Sequence, residues 1–232
     1  MKQFLSPLGI TLNEHQLKLF DEYYQYLISE NAKYNLTALK EKNDVYVKHF
    51  YDSVALSKAI DPTNKSLLDI GSGAGFPSVP LKIVFDTNIT MVEAQKKKTI
   101  FLDNLLDKLA VKGKVINARI EEIEPSYFNS FDIVTARAVA PLNILIELAI
   151  PFVKEGGIFI AMKGSSFEVE LNEAKRGIIL LGSEIEKTVE FNLPDELGMR
   201  SLIIIKKNKH IKGYPRLYQH IIKKPLGSEK NE

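Results

Sequence analysis

The chain has 232 residues, of which 45% are hydrophobic, and this content is enough for one substantial core with a small additional unit. The formal net charge of +2 hides an asymmetry, because residues 201–232 carry eight Lys and Arg against two Glu. Cysteine is absent, which excludes disulfides, thiolate zinc sites and a cysteine nucleophile. The four histidines are scattered without the spacing of metal ligands, so we expect no metal site.

The pattern of apolar residues disfavours two further classes of protein. No apolar run approaches the roughly 20 residues that a membrane span needs. The N-terminal stretch MKQFLSPLGI is too short and too polar for a secretory signal. We therefore expect a soluble, cytoplasmic protein without a membrane partner, and we expect it to be a monomer.

The N-terminal part of the sequence predicts helices. Apolar side chains recur at spacings of three and four after a suitable N-cap at Asn13. A second helix is predicted over about residues 43–59. The segment DPTNK at residues 61–65 is typical of a linker. We therefore predict a small helical cap over residues 1–62 and a larger domain over residues 63–232.

Beyond the linker, predicted strands alternate with amphipathic helices, which is typical of an α/β fold. Seven segments predict strands, in chain order SLLDI, NITMVEA, GKVINAR, FDIVTARAV, IFIAMKG, SEIEKTVEFNL and RSLIIIKK. Helices are predicted in FPSVPLKIVF, KKKTIFLDNLLDKLA, PLNILIELAIPFV and FEVELNEAKRGIILL. The last two strands resemble a closing hairpin.

The turn after the first predicted strand carries glycines at alternate positions, Gly71, Gly73 and Gly75. A strand, a glycine-rich turn and a helix in this order form a nucleotide-type pocket in a doubly wound sheet. Glycine allows the backbone to turn tightly and to approach a ligand closely. The spacing from Asp69 onward is D-x-G-x-G-x-G, which differs from the dinucleotide fingerprint G-x-G-x-x-G at the last glycine. Two prolines also remove N–H donors from the start of the helix. Both features favour a ligand without phosphates. The alternative is a tight loop that only packs.

Glu93 ends the second predicted strand, eighteen residues after the last of these glycines. An acid at this position accepts hydrogen bonds from the ribose hydroxyls of an adenosine; the alternative is a surface glutamate. The backbone N–H of Ile120 and the neighbouring Glu121 could read the adenine edge. Arg137, at the end of the fourth predicted strand, would face the cleft or would form an ion pair with Asp69 or Glu93.

These features resemble class I S-adenosylmethionine-dependent methyltransferases, whose fold is Rossmann-like, with a seven-stranded, mostly parallel sheet and helices on both faces. A narrower resemblance, over nearly the whole chain, is to the bacterial 16S rRNA guanine-N7 methyltransferases, the glucose-inhibited division protein B (GidB) family. Its segments are NLTA, HFYDSV, DIGSGAGFPSVPLKI, VEAQKKKTIFL, FDIVTARAVAPL, MKG, GYPR and KKPL. Ser78 departs from this family, which more often has glycine there.

The resemblance implies methyl transfer from S-adenosylmethionine to N7 of one guanine in the decoding region of 16S rRNA. The partner would be 16S rRNA, the small ribosomal subunit or its assembly intermediate. The predicted cofactor-binding residues are Asp69, Gly71, Gly73, Gly75, Phe76, Glu93, Ile120, Glu121 and Arg137.

The residues agree with this chemistry. Methylation at C5 of a pyrimidine commonly uses a cysteine, which is absent. Methylation of an exocyclic amine usually needs an Asn/Asp-Pro-Pro-aromatic tetrad, where this chain has TARAVAPL. The N7 lone pair carries no proton, so positioning can replace a general base.

Four side chains are candidates for holding the target base. We predict Asn35, Arg137 and Lys163 as catalytic-site residues, together with Asp52. The alternatives are that Asn35 caps a helix, that Asp52 pairs with a nearby lysine and that Lys163 lies at a solvated strand end.

Access to the base constrains the RNA. N7 faces the major groove, which in A-form RNA is too deep and narrow for side chains, so the target must be splayed out. We predict that phosphate contacts come from the basic C-terminal segment. Its candidates are Lys206, Lys207, Lys209, Lys212, Arg216, Lys223 and Lys224. Lys96, Lys97 and Lys98 could do the same near the cofactor, and a solvated edge strand is the alternative for the C-terminal segment.

Three other functions stay open at this point. One is a methyltransferase of the same fold that acts on a small molecule or a protein. The second is an NAD-dependent dehydrogenase, which the glycine spacing and a missing Y-x-x-x-K motif disfavour. The third is a non-catalytic RNA-binding protein that retains the cofactor pocket.

Overall fold

The computed structural model describes residues 1–228, and the last part of the predicted basic segment lies outside the described residues. Within that range seven strands form one sheet. They are β1 (Ser66–Ile70), β2 (Asn88–Glu93), β3 (Lys114–Asn117), β4 (Phe131–Arg137), β5 (Val153–Lys163), β6 (Ser183–Asn192) and β7 (Met199–Lys207).

The strand order is β3-β2-β1-β4-β5-β7-β6. Strands β1 to β5 pair in parallel, so their carboxyl ends share one edge, here called the carboxyl edge. Strand β7 is antiparallel to β5, with Ser201 opposite Lys163 and Lys206 opposite Ile158. The start of β7 therefore lies at the carboxyl edge, and its end lies at the opposite edge.

Helices cover both faces of the sheet. They are α1 (Lys2–Leu5), α2 (Glu14–Tyr34), α3 (Lys42–Val45), α4 (Asp52–Val54), α5 (Ser78–Val84), α6 (Lys96–Leu109), α7 (Leu142–Ala149), α8 (Phe167–Leu180) and α9 (Tyr218–Lys223). A π-helical stretch, Tyr46–Tyr51, joins α3 to α4, and a 3-10 turn, Ala55–Lys58, follows. The predicted second helix is therefore present, but its winding is irregular.

Two hydrophobic cores lie on opposite faces of the sheet because successive strand side chains point in opposite directions. Leu67 of β1 belongs to one core, which includes buried residues of α2, α5 and α6. Leu68 belongs to the other, which includes buried residues of α7, α8 and α9. The sheet is thus covered on both faces, as parallel strands require.

The N-terminal helices share a core with the sheet. Asn13 and Gln16 form a capping box at the start of α2, as the sequence predicts for Asn13. Further along α2, the Tyr23 hydroxyl donates to the carbonyl oxygen of Ala74, and the Tyr23 ring stacks on Phe76 with centroids 5.5 Å apart. Helix α2 therefore supports the glycine turn directly. The division into domains at residues 61–65 stays a prediction.

Besides the irregular second helix and the short α1, two further elements differ from the sequence prediction. Strand β5 begins at Val153, five residues before Ile158, where the predicted segment starts. A Cβ on Gly157 would lie 2.8 Å from the carbonyl oxygen of Asp132, so this glycine permits close approach of β4 rather than forming a turn. Helix α9 was not predicted, because six residues are too few to show a helical period.

Candidate active site

The carboxyl edge carries two clefts on either side of the loop after β4. The β1–β3 cleft, of about 150 Å³, is lined by residues that include Gly71, Glu93, Ile120, Glu121 and Tyr218. The β4–β5 cleft is larger, about 520 Å³, which leaves room for a nucleobase, and its lining includes His49, Asp52, Arg137, Lys163 and Arg200. The loop contributes to both clefts, Val139 to the first and Ala138 to the second.

Gly71, at the start of the glycine turn, lines the β1–β3 cleft. The Gly71 amide donates to the carbonyl oxygen of Val92 at 2.8 Å, which ties the turn to the end of β2. Gly71 has a φ of +68°, and a Cβ there would lie 2.8 Å from Val139 Cγ2. A side chain at this position would meet both backbone strain and Val139, so the turn requires glycine here.

Glu93 is 6% exposed and lines the same cleft. Its Oε2 accepts from the Gly73 amide at 3.1 Å, and its Oε1 accepts from the Gln95 amide at 2.8 Å. Asn117 of β3 donates its side-chain amide to the Glu93 carbonyl oxygen at 3.0 Å. Each carboxylate oxygen thus has a fixed direction and an unused lone pair, as binding of a pair of ribose hydroxyls requires.

The opposite wall of the β1–β3 cleft is a short 3-10 turn, Ile120–Glu122. Arg119 precedes it, and its Nε lies 2.6 Å from Oε1 of Glu121. The guanidinium carbon of Arg119 lies 4.5 Å from the ring centroid of Tyr218, which begins α9. Arg119 and Tyr218 both line the cleft, although neither was predicted as a site residue.

Asp69 lies beneath the glycine turn and is fully buried. The Ser78 hydroxyl donates to its Oδ2 at 2.8 Å, so the serine that departs from the family pattern has a defined partner. Among the described residues, Oδ1 of Asp69 has no hydrogen-bond partner. Burial raises the pKa of this carboxyl to about 7, and the Ser78 hydrogen bond opposes the rise.

Arg137 organises the β4–β5 cleft. Its Nη1 lies 3.1 Å from Oδ2 of Asp52, and its Nη2 lies 3.2 Å from Nδ1 of His49. The guanidinium carbon lies 5.0 Å from the ring centroid of Phe76. The alternative of an ion pair with Asp69 or Glu93 is therefore wrong, because the guanidinium points to the helical segment 42–58.

His49 is held in one neutral tautomer. Burial and the nearby Arg137 guanidinium lower its pKa to about 3. Because Arg137 donates to Nδ1, the proton resides on Nε2, which lies 2.8 Å from the Thr37 hydroxyl oxygen. The imidazole stacks on Phe76 with centroids 4.5 Å apart. His49 occurs three residues before Asp52 in HFYDSV, and this helical spacing was the available sequence signal.

Asp52 is 4% exposed and faces two arginines. Arg200, from the start of β7, places its Nε 3.4 Å from Asp52 Oδ1, although no hydrogen bond forms there. Burial raises the pKa of the Asp52 carboxyl, and the two guanidinium groups oppose that rise. The alternative that Asp52 pairs with a nearby lysine is wrong. Arg200 was missed because nothing in RSLIIIKK shows which end reaches the site.

Lys163, at the end of β5, lies in the β4–β5 cleft as predicted for its position. Its Nζ donates to the carbonyl oxygen of Ala140 at 2.8 Å and to Oε2 of Glu170 at 2.7 Å. The same Glu170 oxygen accepts from the Leu142 amide at 2.7 Å, at the start of α7. Lys163 therefore fixes the loop between the two clefts.

Five of the predicted catalytic and cofactor-binding residues line neither cleft, namely Asn35, Asp69, Gly73, Gly75 and Phe76. Asn35 is exposed at the C-terminal end of α2, with a φ of +51°, and lines neither cleft. It ends a helix rather than starting the next one. Phe76 packs between His49 and Tyr23 and supports Arg137, but it does not line the β1–β3 cleft.

The predicted RNA-binding lysines of β7 face the other way. Lys206 and Lys207 end an antiparallel strand, so they lie roughly 20 Å from Arg200 at its start. The phosphate contact predicted for Lys207 is wrong, because this side chain is 1% exposed. Its Nζ donates to the carbonyl oxygens of Pro151 and Val153 at 3.2 and 2.6 Å, and burial lowers its pKa to about 8.

The basic residues after β7 are divided. Lys209 and Lys212 are exposed beyond the end of β7, and Lys223 and Lys224 are exposed on and after α9. Arg216 instead forms a fork with Glu147, a fully buried residue of α7, at 2.7 and 2.6 Å. The guanidinium that was predicted to contact phosphate is thus paired with a buried carboxylate, and the Arg216 side chain is 28% exposed.

No group of three or more His, Cys, Asp or Glu side chains in residues 1–228 could hold a metal ion. In the same range, no helix is both long and apolar enough to cross a membrane.

The strand order, the glycine turn and the strand-end acid define the class I S-adenosylmethionine-dependent methyltransferase fold, as predicted. Solved structures of similar fold include a tRNA (m1A58) methyltransferase from Aquifex aeolicus, with a TM-score of 0.53, 14% identity and coverage of 67% of this chain and 68% of that chain. Another is a precorrin-6y C5,15-methyltransferase from Geobacter metallireducens, with a TM-score of 0.51, 17% identity and coverage of 68% and 87%.

The particular family follows from sequence. Residues 16–199 match the GidB family, described as rRNA small subunit methyltransferase G. Proteins named ribosomal RNA small subunit methyltransferase G are 46% identical in Staphylococcus carnosus, over 96% of this chain and 95% of that protein, and 43% identical in Leuconostoc mesenteroides, over 96% of each. The chain belongs to the GidB family, and the family match ends before residues 213–228, here called the C-terminal arm.

Proposed function

We propose that the protein transfers a methyl group from S-adenosylmethionine to N7 of a guanine in 16S rRNA. The observation that carries this proposal is the adjacency of the two clefts across the loop after β4. One cleft has the features of an adenosine site, and the other has room and polar side chains for a base. The substrate would place the enzyme in the cytoplasm, and we expect it to act as a monomer.

The residues of the β1–β3 cleft fit the cofactor. Gly71 and Glu93 both line this cleft, and the Glu93 carboxylate would accept hydrogen bonds from the ribose hydroxyls. Ile120 and Glu121 form the wall where the adenine edge would lie. S-adenosylmethionine, when bound, supplies a methyl group on a positively charged sulfur.

The β4–β5 cleft fits a purine that needs orientation rather than deprotonation. His49 is neutral and donates its only ring proton to Thr37, so it is not poised as a general base. Asp52 and Arg137 are held to each other, and Oδ1 of Asp52, which makes no hydrogen bond, is buried 3.4 Å from Arg200 Nε. N7 of guanine carries no proton, so a site that only positions the ring suffices.

The charges in this cleft also suit the product. Methylation moves a positive charge onto the guanine ring. The carboxylate of Asp52, held in a buried setting, would stabilise that charge as it develops. Arg137 and Arg200 would keep Asp52 in place and contact phosphate or the base carbonyl oxygen.

The test is a methylation assay with S-adenosylmethionine labelled on its methyl group. Substrates are free guanosine, naked 16S rRNA and purified small subunits from a strain that lacks the enzyme, and mass spectrometry maps the product. We expect 7-methylguanosine at one position of the rRNA, in one or both RNA substrates. Label on guanosine alone would support a small-molecule methyltransferase, and tight RNA binding without methylation would support a non-catalytic RNA-binding protein.

A further inference from the structure

The C-terminal arm reaches the β1–β3 cleft, although it lies beyond residues 16–199. Tyr218 is the member of the arm that lines this cleft. It comes after β7, which ends at the opposite edge of the sheet, so residues 208–217 return the chain to the carboxyl edge. A chain end that only provided surface charge would need no such return.

Tyr218 contacts the wall of the cleft that carries the predicted adenine-binding residues. Arg119 stacks on its ring at 4.5 Å and bonds Glu121 through Nε at 2.6 Å. Glu121 is held in the 3-10 turn Ile120–Glu122. Tyrosine, arginine and glutamate therefore form a continuous series along one side of the cleft, which couples the arm to the predicted adenine contacts.

The arm is anchored by an ion pair between Arg216 and the buried carboxylate of Glu147. Arg216 donates its backbone amide, Nε and Nη2 to the carboxylate of Glu147, at 2.9, 2.7 and 2.6 Å, and Nη2 also reaches the carbonyl oxygen of Lys224. Ile221 is fully buried in the core that contains α7 and α8. Leu148, next to Glu147, lines the β1–β3 cleft. The anchor and the cleft thus share α7.

We propose that the C-terminal arm is part of the cofactor site, in which Tyr218 contacts the adenine moiety and the Arg216–Glu147 pair is a positioning device. This inference rests on the proposed function, because it takes the adenosine group as the ligand. An aromatic ring backed by a guanidinium is suited to a purine, whose flat face stacks on aromatic side chains.

The first test measures binding of S-adenosylhomocysteine and of adenosine by calorimetry. Tyr218→Ala should weaken the binding of both ligands by a similar factor, about 5- to 100-fold, because the lost contact is to the adenine that they share. Tyr218→Phe should retain the affinity within about threefold, because the ring remains. Tyr127→Ala is the matched control, since Tyr127 is a similarly half-buried tyrosine that stacks on Phe131 away from the cleft.

The second test separates anchoring from RNA binding. Arg216→Lys keeps the positive charge but loses the fork with Glu147. We expect the KM for S-adenosylmethionine to rise about tenfold or more while the KM for RNA stays unchanged. A higher KM for RNA with an unchanged KM for cofactor would overturn the inference and restore Arg216 as an RNA contact.

A third measurement uses the unaltered protein and does not depend on the folding of variants. Saturating S-adenosylhomocysteine should slow hydrogen exchange of amides in residues 217–223 at least several-fold, while β6 amides do not change. An arm that does not respond to bound ligand, or a Tyr218→Ala variant with unchanged affinity, would overturn the inference. Failure of the unaltered protein to bind S-adenosylhomocysteine would overturn the proposed function itself.

Discussion

The guanidinium of Arg137 lies 3.1 Å from the carboxylate of Asp52, although 85 residues separate them in the chain. Arg137 ends β4, and Asp52 begins α4, so the pair joins the sheet to the N-terminal helices at the larger cleft. It also leaves the neighbouring β1–β3 cleft free of a guanidinium from Arg137. The pair therefore assigns Arg137 to the β4–β5 cleft.

Asp52→Asn should impair methyl transfer without loss of cofactor binding. The amide cannot balance two arginines, so we expect kcat to fall by about 100-fold through misplacement of the base. The free energy of unfolding should fall by about 3 kcal/mol, as for a broken buried ion pair. Single-turnover assays and denaturant titration measure the two effects. Asp44→Asn, which removes a half-exposed pair with Lys48 in the same helical segment, should leave kcat unchanged. A normal kcat for Asp52→Asn would show that the carboxylate does not hold the base.

Glu93→Gln should weaken cofactor binding. A glutamine cannot accept from both the Gly73 and Gln95 amides and also from ribose, because one of its terminal atoms is a donor. We expect S-adenosylhomocysteine to bind about 1–3 kcal/mol more weakly, measured by calorimetry. Glu184→Gln, on the exposed edge strand β6, is the control. Equal affinities for the two variants would argue against a ribose contact by Glu93.

The position of the lysines relative to the carboxyl edge should decide their effect on RNA binding. Lys96 and Lys97 are exposed at the start of α6, directly after β2, whereas Lys206 and Lys209 lie at or beyond the end of β7. Replacing the first pair by Gln should lower the slope of log K against log salt by about 1.5, two phosphate contacts at 0.7–0.9 each. Replacing the second pair should leave the slope unchanged. The reverse result, in filter-binding titrations over a range of salt, would restore the original prediction for β7.

His49 should make stability fall in acid. Its pKa is about 3 in the folded protein and 6.5 ordinarily, so between these values the unfolded chain binds a proton that the folded protein does not. The stability from neutral His49 is complete above pH 6.5 and is lost as the pH falls towards 3. Relative to His49→Gln, the free energy of unfolding should therefore drop by about 2 kcal/mol between pH 8 and pH 5. The exposed His15→Gln serves as control, and parallel pH profiles for His49→Gln and the unaltered protein would refute the assignment.

Much of the fold was predictable because its signals are local. The periodicity of the apolar residues predicted the alternation of strands and helices through β4. The closing hairpin of β6 and β7 was also predicted. Gly71 and Glu93 could be assigned to one cleft from sequence, since parallel strands bring their carboxyl ends to one edge. Lys163 could be placed by the same argument.

The rest depended on contacts between distant parts of the chain. No local pattern predicts the pairing of Arg137 with Asp52, the burial of Lys207 or the position of Tyr218 in the β1–β3 cleft. The antiparallel direction of β7 places Arg200 at the carboxyl edge and Lys206 at the opposite edge, although both belong to one strand.

The sequence by itself thus determined the class of fold, the glycine turn and the acid beside it, because backbone geometry and hydrophobic period are properties of short segments. Only the tertiary structure decided which charges face the clefts and which are neutralised inside. A side chain's environment is set by whatever packs against it, and for Arg137, Lys207 and Arg216 those neighbours come from elsewhere in the chain.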